Sequence, residues 1–403
     1  MTDAILTLNA GSSSIKFAVF RFAGGELLPL ASGQVEGIGG QAHFAAKSEQ
    51  GATVETAIGG PAERVNHAAA LRAAVDWLQS AEKDARIVAV GHRVVHGGPD
   101  YAAPILIDPR VLNVLRRLIP LAPLHQPHNL AGVEAALAAF PDAAQVACFD
   151  TGFHRSHPFV ADTFALPRHF YDEGVRRYGF HGLSYEYVSR RLREVAPAVA
   201  AGRVIIAHLG NGASACGLRG GRSVASTMGF TALDGLPMGT RCGQLDPGVV
   251  LYLMAEKGMS PADISDLLYK ESGLKGLSGL SNDMRTLEAS PEPAARQAID
   301  YFVERVKREI GGLAAAIGGV DAIVFAGGIG EHSWRTRQKI LSDMIWLGVA
   351  LDLGANARND RCVTAPASAT PVYVIPTDEE RMIAEHTIEC AGLKPVAKEL
   401  ATA

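Results

Sequence analysis

Two α/β domains of shared design, each carrying a mixed sheet, are what this sequence predicts, and three observations carry the prediction. At 403 residues the chain exceeds what one ordinary core accommodates. Residues 5–36, "ILTLNAGSSSIKFAVFRFAGGELLPLASGQVE", and residues 204–227, "VIIAHLGNGASACGLRGGRSVAST", read alike: apolar strand, small polar turn, strand, Gly-Gly turn, strand. They lie about two hundred residues apart, near half the chain, as duplicated domains would. Elsewhere strand-like and helix-like segments alternate, which is the pattern of α/β proteins.

In chain order, the opening meander is followed by "NHAAALRAAVDWLQSA", apolar at helical spacing, and then by the strand-like "RIVAVGHRVVHGG". Two helical stretches, "PRVLNVLRRLIPLA" and "NLAGVEAALAAF", precede a short strand in "AQVACFDTGFH". The second meander leads to a long amphipathic helix, "AARQAIDYFVERVKREIGGLAAAI". Strand, glycine turn and helix follow in "VDAIVFAGGIGEHSWRTRQKIL", and strand then helix in "PVYVIPTDEERMIAEHTIECA". No low-complexity tract or proline-rich linker interrupts the series.

Composition narrows the function. Hydrophobic residues make up 48%, charged residues 20%, and there are 43 glycines, as in a globular chain rich in tight turns. A net charge of −4 leaves no nucleic-acid footprint, so any basic site is local. Five scattered cysteines without a C-x-x-C pair suit a reducing compartment. The start "MTDAILTLNAG" lacks a signal-peptide pattern, and no uncharged run reaches the ~20 residues of a membrane span. A cytoplasmic protein is the expectation.

Several segments carry chemistry. The stretch Asn9 to Lys16, "NAGSSSIK", is too long and too rich in hydroxyls for a simple hairpin turn. Backbone N–H groups, hydroxyls and a lysine together can cradle an anion. "HLGNGAS" repeats the design, with Asn211 between two glycines after a strand. There is no G-x-x-x-x-G-K-[ST] and no G-x-G-x-x-G opening a helix after the first strand, which argues against Walker ATPases and Rossmann dehydrogenases. Arg93 and Arg241 sit beside glycines, where a planar guanidinium can hold a carboxylate or phosphate by two hydrogen bonds. "HRVVH" is no zinc site, because residues four apart on a strand are about 13 Å apart. His181, in "RRYGFHGLSYEYV", reads either as a core histidine or as a donor to a reacting phosphoryl group. Asp150 ends a strand, where α/β sites lie. Glu379 and Glu380 either serve a site or favour a helix N-terminus.

Together "ILTLNAGSSSIK", "VIIAHLGNGASACGLRGG", "GHRVVHGG", "FDTGFH", "RRYGFHGLS", "MGTRCGQLDPG", "AGGIGEHS" and "PTDEE" resemble the acetokinase family, the acetate kinases of the sugar-kinase, heat-shock ATPase and actin superfamily, over residues 4 to 390. The resemblance implies two duplicated ribonuclease-H-like (actin-like ATPase) domains with mixed sheets flanking a central cleft. The first would be residues 1–150 with 377–403, completed by the C-terminal helix, and the second, residues 151–376, the nucleotide side. It implies reversible in-line transfer of the ATP γ-phosphoryl group to acetate, giving acetyl phosphate and ADP, with Mg²⁺ or Mn²⁺. The chain would then be a homodimer without nucleic-acid or membrane partners.

Position by position, the resemblance makes Asn9 and Glu379 metal-linked and Asp150, His181 and Arg241 catalytic. Arg93 would bind the carboxylate, with Val95, Leu124 and Ala232 lining the acyl pocket. The nucleotide would meet Ser12, Lys16, His208, Leu209, Gly210, Asn211 and Gly212, and on its adenosine side Asp283, Met284, Arg285, Gly328, Ile329, Gly330, Glu331 and His332. Two positions depart from the family: His332 stands where Asn is frequent, and Ala232 where Pro is common. The second opens propionate as an alternative acid. A catalytically silent nucleotide-binding module is the alternative from another class.

Overall fold

The computed structural model describes residues 2–11, 13–23, 26–60, 64–82 and 84–393. The chain divides into two compact units, one from Met1–Gly152 with the segment that starts at Asp378, the other from Phe153–Thr377.

In the first unit, alternation and turn chemistry produce β1 (Thr2–Ala10), β2 (Ser14–Ala23) and β3 (Glu26–Glu36) as an antiparallel meander. The hairpin β4 (Ala42–Ser48) and β5 (Thr53–Ile58) extends it. β6 (Ala85–Val94) joins β1 in parallel, and β8 (Ala144–Phe149) joins β6 in parallel; the two-residue β7 (Ile105–Leu106) closes the far edge. The eight-stranded order is β5-β4-β3-β2-β1-β6-β8-β7. The second unit carries β9 (Arg203–Leu209), β10 (Ala213–Arg219), β11 (Arg222–Ser226), β12 (Ala322–Ala326) and β13 (Val372–Val374) in the order β11-β10-β9-β12-β13. Each sheet thus has the same nucleus, an antiparallel meander followed by two parallel strands: β3-β2-β1-β6-β8 in one and β11-β10-β9-β12-β13 in the other. The duplication read from the two meanders is borne out, in the ribonuclease-H-like arrangement.

Three local expectations are refined. The β4–β5 hairpin lies in residues 37–65, which the sequence reading left without an element; β4 alternates buried and exposed residues, but its sequence AHFAAKS is poor in β-branched residues. The helix expected over 109–122 stops at Arg117 and gives way to a 3₁₀ turn, Ile119–Leu121, because Pro120 has no N–H to continue the ladder. The glycine turn after β12 is itself helical, Gly327–His332, broken at Ser333 before the helix Trp334–Leu341.

Packing sets where the site groups end up. One face of the first sheet buries Leu6, Leu8, Phe17, Val19 and Val35 with Leu71, Val75 and Leu78 of the helix His67–Ala81. Against β1, β6 and β8 lies the C-terminal helix Glu379–Cys390. The contact is so close that a Cβ at Gly91 would lie 2.1 Å from Thr387 Oγ1 and 2.6 Å from Ile383 Cγ2, so only glycine fits there. Gly91 is two residues before Arg93, and the helix begins at Glu379. In the second unit Tyr185, Val188 and Leu192 of the helix Gly182–Val195 pack on Val204, Ile206 and Val324. Among the described residues no helix is long and apolar enough to cross a membrane.

Candidate active site

The first unit gathers three predicted residues, Asn9, Asp150 and Glu379, around the guanidinium of a fourth, Arg93. Arg93, near the end of β6, donates from Nε to Asp150 Oδ1 at 3.1 Å, from Nη2 to Asp150 Oδ2, and from Nη1 to Asn9 Oδ1 at 3.0 Å. Its Nε is 3.9 Å from Glu379 Oε2. The geometry follows from the sheet: β1 and β8 flank β6, so Asn9 and Asp150 arrive on either side of Arg93, while the C-terminal helix adds Glu379. Asp150 is 1% exposed. Burial opposes the charge of Arg93, but Asp150 and then Glu379 outweigh it and raise the guanidinium pKa further. Burial pushes Asp150 up against the pull of Arg93. Burial also pushes Glu379 up to about 7, with Asp150 and Glu380 adding to the rise and Arg93 and Lys16 opposing it.

Arg93 thus faces one fully buried acid, Asp150, and one half-buried acid, Glu379, to which Lys16 adds a weaker pull, and the cluster still has an unmet demand for positive charge. Oxygen donors with that demand suit a hard divalent ion. Among the described residues no three His, Cys, Asp or Glu side chains group closely enough to hold an ion alone. That is compatible with magnesium, which is usually held by one or two carboxylates with phosphate oxygens and water completing its shell. Three of the five Arg93 N–H donors are paired among the described residues, which leaves one on each terminal nitrogen.

Around this cluster, Val95 is buried and its N–H donates to Asn129 Oδ1 at 2.9 Å, so the helix Gln126–Ala139 fixes the chain just past Arg93. Leu124 is half-buried in the turn before that helix. Lys16 is exposed, pairs with Asn9 in the β1–β2 register, and lines a cavity of about 720 Å³ with Asp378 and Glu380. Ser12 lies outside the described residues.

In the second unit His181 adopts the left-handed region (φ 56°, ψ 26°) at the N-cap of the helix Gly182–Val195, a conformation that costs a non-glycine residue about 1–2 kcal/mol. Its ring stacks on that of His208 with centroids 4.4 Å apart and planes at 25°. His181 Nδ1 meets Ser214 Oγ at 2.8 Å, and His208 Nδ1 meets Ser184 Oγ at 2.7 Å. Arg241 Nη1 donates to the carbonyl of Ala232 at 3.0 Å, which ties two predicted residues together.

Eight of the remaining nucleotide candidates converge. Gly210, Asn211, Asp283, Met284, Arg285, Gly328, Ile329 and His332 line one cavity of about 550 Å³, together with Asn282, Glu288 and Ser333, which the sequence reading did not name. Asn282 Nδ2 donates to Asn211 Oδ1 at 3.2 Å, and Glu288 accepts from Thr336 Oγ1 at 3.0 Å and from Ser333 Oγ. Asp283 caps the helix Met284–Ala289. Gly330 and Glu331 are not in the lining: Gly330 is buried, and Glu331 Oε1 accepts from the N–H groups of Gly327 at 2.8 Å and Thr377 at 3.1 Å. Leu209 is fully buried at the end of β9, and Gly212 accepts at its carbonyl from Gly210 N–H at 3.0 Å. Asn282 stands next to Asp283 in "SNDMRTL" and Ser333 ends "AGGIGEHS", so proximity to a motif could have found both; Glu288 carries no sequence signal of its own.

Comparison with known proteins places this geometry in context. The family described as the acetokinase family matches residues 4–385. Acetate kinase of Methylocella silvestris is 60% identical over 395 residues, spanning 96% of this chain and 98% of the relative. Acetate kinase of Rhizobium meliloti is 52% identical over 387 residues, spanning 96% and 98%. The crystal structure of acetate kinase from Porphyromonas gingivalis superposes with a TM-score of 0.86 at 37% identity, covering 96% of this chain and 100% of that one. A propionate kinase structure from Francisella tularensis gives a TM-score of 0.89 at 34% identity, covering 96% and 99%.

Proposed function

The chain belongs to the acetokinase family, and from that premise we propose that it transfers the γ-phosphoryl group of ATP reversibly to acetate, giving acetyl phosphate and ADP. It is an ATP:carboxylate phosphotransferase. An acetate oxygen forms the new O–P bond as the bond from Pγ to the β-phosphate bridging oxygen breaks, and ADP leaves with that electron pair. A carboxylate is already a nucleophile at pH 7, so no general base is needed, and positioning with charge neutralisation supplies the catalysis.

The observation that carries this reading is the Arg93 fork. Asp150 and Asn9 hold its plane, and the two remaining donors, one on each terminal nitrogen, match a carboxylate. Val95 and Leu124 on the same unit would line the acyl group, and Ala232, on the other unit, is the further candidate for setting its length. Arg241 and the His181 ring would stabilise charge on the transferred phosphoryl group. Asn9 and Glu379 would hold Mg²⁺, and the charge demand of their cluster supports that. When bound, the ion neutralises phosphate charge. The cavity lined by Asn211, Asp283 and Gly328 would take the adenosine side of the nucleotide.

We also propose a homodimer in the cytoplasm. The helix Pro247–Ala255, PGVVLYLMA, has no buried residue, and Leu251, Tyr252 and Met254 are half to two-thirds exposed. An apolar surface of that kind suits a second copy of the chain, and light scattering of the native protein tests it. The activity is tested by trapping acyl phosphate as hydroxamate with ATP, Mg²⁺ and C2 to C4 acids. Product with acetate is expected. Nucleotide binding without product from any acid would instead identify a silent module.

A further inference from the structure

The two stacked histidines are held by a crossed arrangement that the transfer chemistry described above does not yet use. His181, Ser184 and Tyr185 come from one turn at the start of the helix Gly182–Val195, at spacings of three and four that share a face. His208 and Ser214 come from the β9–β10 hairpin, where they are direct register partners. Each element thus gives one histidine and one serine, and each histidine is bonded by the other element's serine: His181 Nδ1 to Ser214 Oγ at 2.8 Å, His208 Nδ1 to Ser184 Oγ at 2.7 Å.

Behind each serine stands a second hydroxyl. Tyr185 Oη bonds Ser214 Oγ, and Thr377 Oγ1 donates to Ser184 Oγ at 2.8 Å. Ser184, Tyr185 and Ser214 are fully buried, so every proton in the chain must find an acceptor within it. Burial, with Cys216 adding, raises the Tyr185 phenol well above its usual pKa despite the bond to Ser214; it keeps its proton. Among the described residues the hydrogen-bond partner of Tyr185 Oη is Ser214 Oγ, so the phenol donates there. The Ser214 proton then goes to His181 Nδ1, and the His181 ring proton sits on Nε2. The same count from Thr377 through Ser184 puts the His208 proton on Nε2. A protonated Nδ1 on either ring would direct two donors at one serine and strand that serine's own proton in a buried site.

We infer that Ser214 with Tyr185, and Ser184 with Thr377, are positioning residues that lock His181 and His208 as paired Nε2–H donors to the phosphoryl chain. This rests on the phosphotransfer reading given above. The direction of the donors follows from the glycine loop: a Cβ at Gly212 would lie 3.2 Å from His181 Nε2, and one at Gly210 would lie 3.8 Å from His208 Nε2. Both rings therefore bring Nε2 close to the Gly210-Asn211-Gly212 turn. The two rings stack at 4.4 Å, which holds each in place, and a donor fixed before reaction needs no reorganisation as charge develops.

The test combines NMR and kinetics on the full chain. With ¹⁵N-labelled histidine, long-range ¹H–¹⁵N correlation spectra, assigned by His181→Gln and His208→Gln, are expected to show both rings protonated at Nε2. Ser214→Ala should shift His181 toward the Nδ1–H tautomer. It should also lower kcat for acetyl phosphate formation by about 10- to 100-fold, as loss of a partner that orients a functional histidine does, with KM for acetate within about threefold. Ser184→Ala should do the same through His208, and Ser214→Thr should restore both readouts. Tyr185→Phe keeps the buried shape, so it stands in if Ser214→Ala does not fold, and should shift the same tautomer. An unchanged His181 tautomer in the folded Ser214 or Tyr185 variant overturns the relay. A shifted tautomer with unchanged kcat overturns its role in the reaction. Should His181→Gln itself leave kcat unchanged, the phosphoryl role of His181 fails, while the tautomer measurement still judges the relay.

Discussion

Replacing Arg93 by alanine removes the one cation that, among the described residues, is bonded to Asp150, whose carboxylate is 1% exposed. Breaking a buried ion pair by deleting one partner costs about 3–5 kcal/mol, because the other charge stays buried without compensation. Arg93 is itself 18% exposed, so water can reach the space it leaves, and the lower end, about 3 kcal/mol, is the expected loss. For a unit of this size about 3 kcal/mol corresponds to a fall in Tm of about 6–12 °C, within the stability of an ordinary domain. The protein should therefore fold. Acyl phosphate formation, followed as hydroxamate, should drop by ~10²-fold or more, since the carboxylate loses a preorganised fork. A double-mutant cycle separates the two effects. Arg93→Ala with Asp150→Asn removes both charges together, so it should regain at least half of the lost Tm while turnover stays low. If Arg93→Ala melts within about 1 °C of the wild type, or if the double variant is no more stable than the single one, Arg93 and Asp150 are not the coupled pair described here.

Three further outcomes are expected. A Cβ at Gly328 would meet no atom within 4 Å but would enter the cavity of about 550 Å³, so Gly328→Ala should leave Tm unchanged and raise KM for ATP about 10-fold; an unchanged KM would remove the nucleotide from that cavity. Burial lowers the pKa of His154 to about 4, and burial with His154 beside it lowers that of His157 to about 2. Since the unfolded chain takes up those protons near pH 6.5, stability should fall as pH drops below about 6.5, by up to ~1.4 kcal/mol per pH unit for each ring. His157→Gln should flatten the Tm profile between pH 4 and 6.5, and an identical profile would count against a neutral His157. Ala232 holds Arg241 through its carbonyl, which proline retains. Ala232→Pro should therefore keep acetate turnover while lowering the propionate-to-acetate ratio of kcat/KM about fourfold, the worth of one methylene; a ratio that is unchanged or higher would show that Ala232 does not set acyl length.

The fold was legible where chain chemistry is local. Asn9 to Ser14 and the Gly24-Gly25 pair punctuate alternating apolar runs, so three strands and their order could be read directly, and the same punctuation at Gly210 to Gly212 and Gly220-Gly221 exposed the duplication. The β4–β5 hairpin escaped because Ala45, Ala46 and Lys47 do not look like a strand; the pairing with β3 makes them one. The helix Pro247–Ala255 escaped for the opposite reason. Its residues are apolar on every side and show no amphipathic period, and the unit leaves them exposed.

The site was legible as single residues and illegible as bonds. Arg93 and Asp150 each announced themselves, one beside glycines and the other at a strand end, yet their pairing across 57 positions depends on β8 lying beside β6, and the intervening chain says nothing about which strand that will be. The histidine pair makes the same point more sharply. The spacing of His181, Ser184 and Tyr185 is a helical face, and His208 facing Ser214 is a hairpin register; both patterns are written in the sequence at short range. What joins them is the packing of Tyr185 and Val188 onto Val204 and Ile206, which brings helix and hairpin close enough for each serine to reach the other element's histidine. A substitution in that apolar contact, such as Val188→Ala, would therefore loosen both hydrogen bonds at once without touching any polar atom. That coupling is why residues with no chemistry of their own belong to the account of how the histidines are aimed.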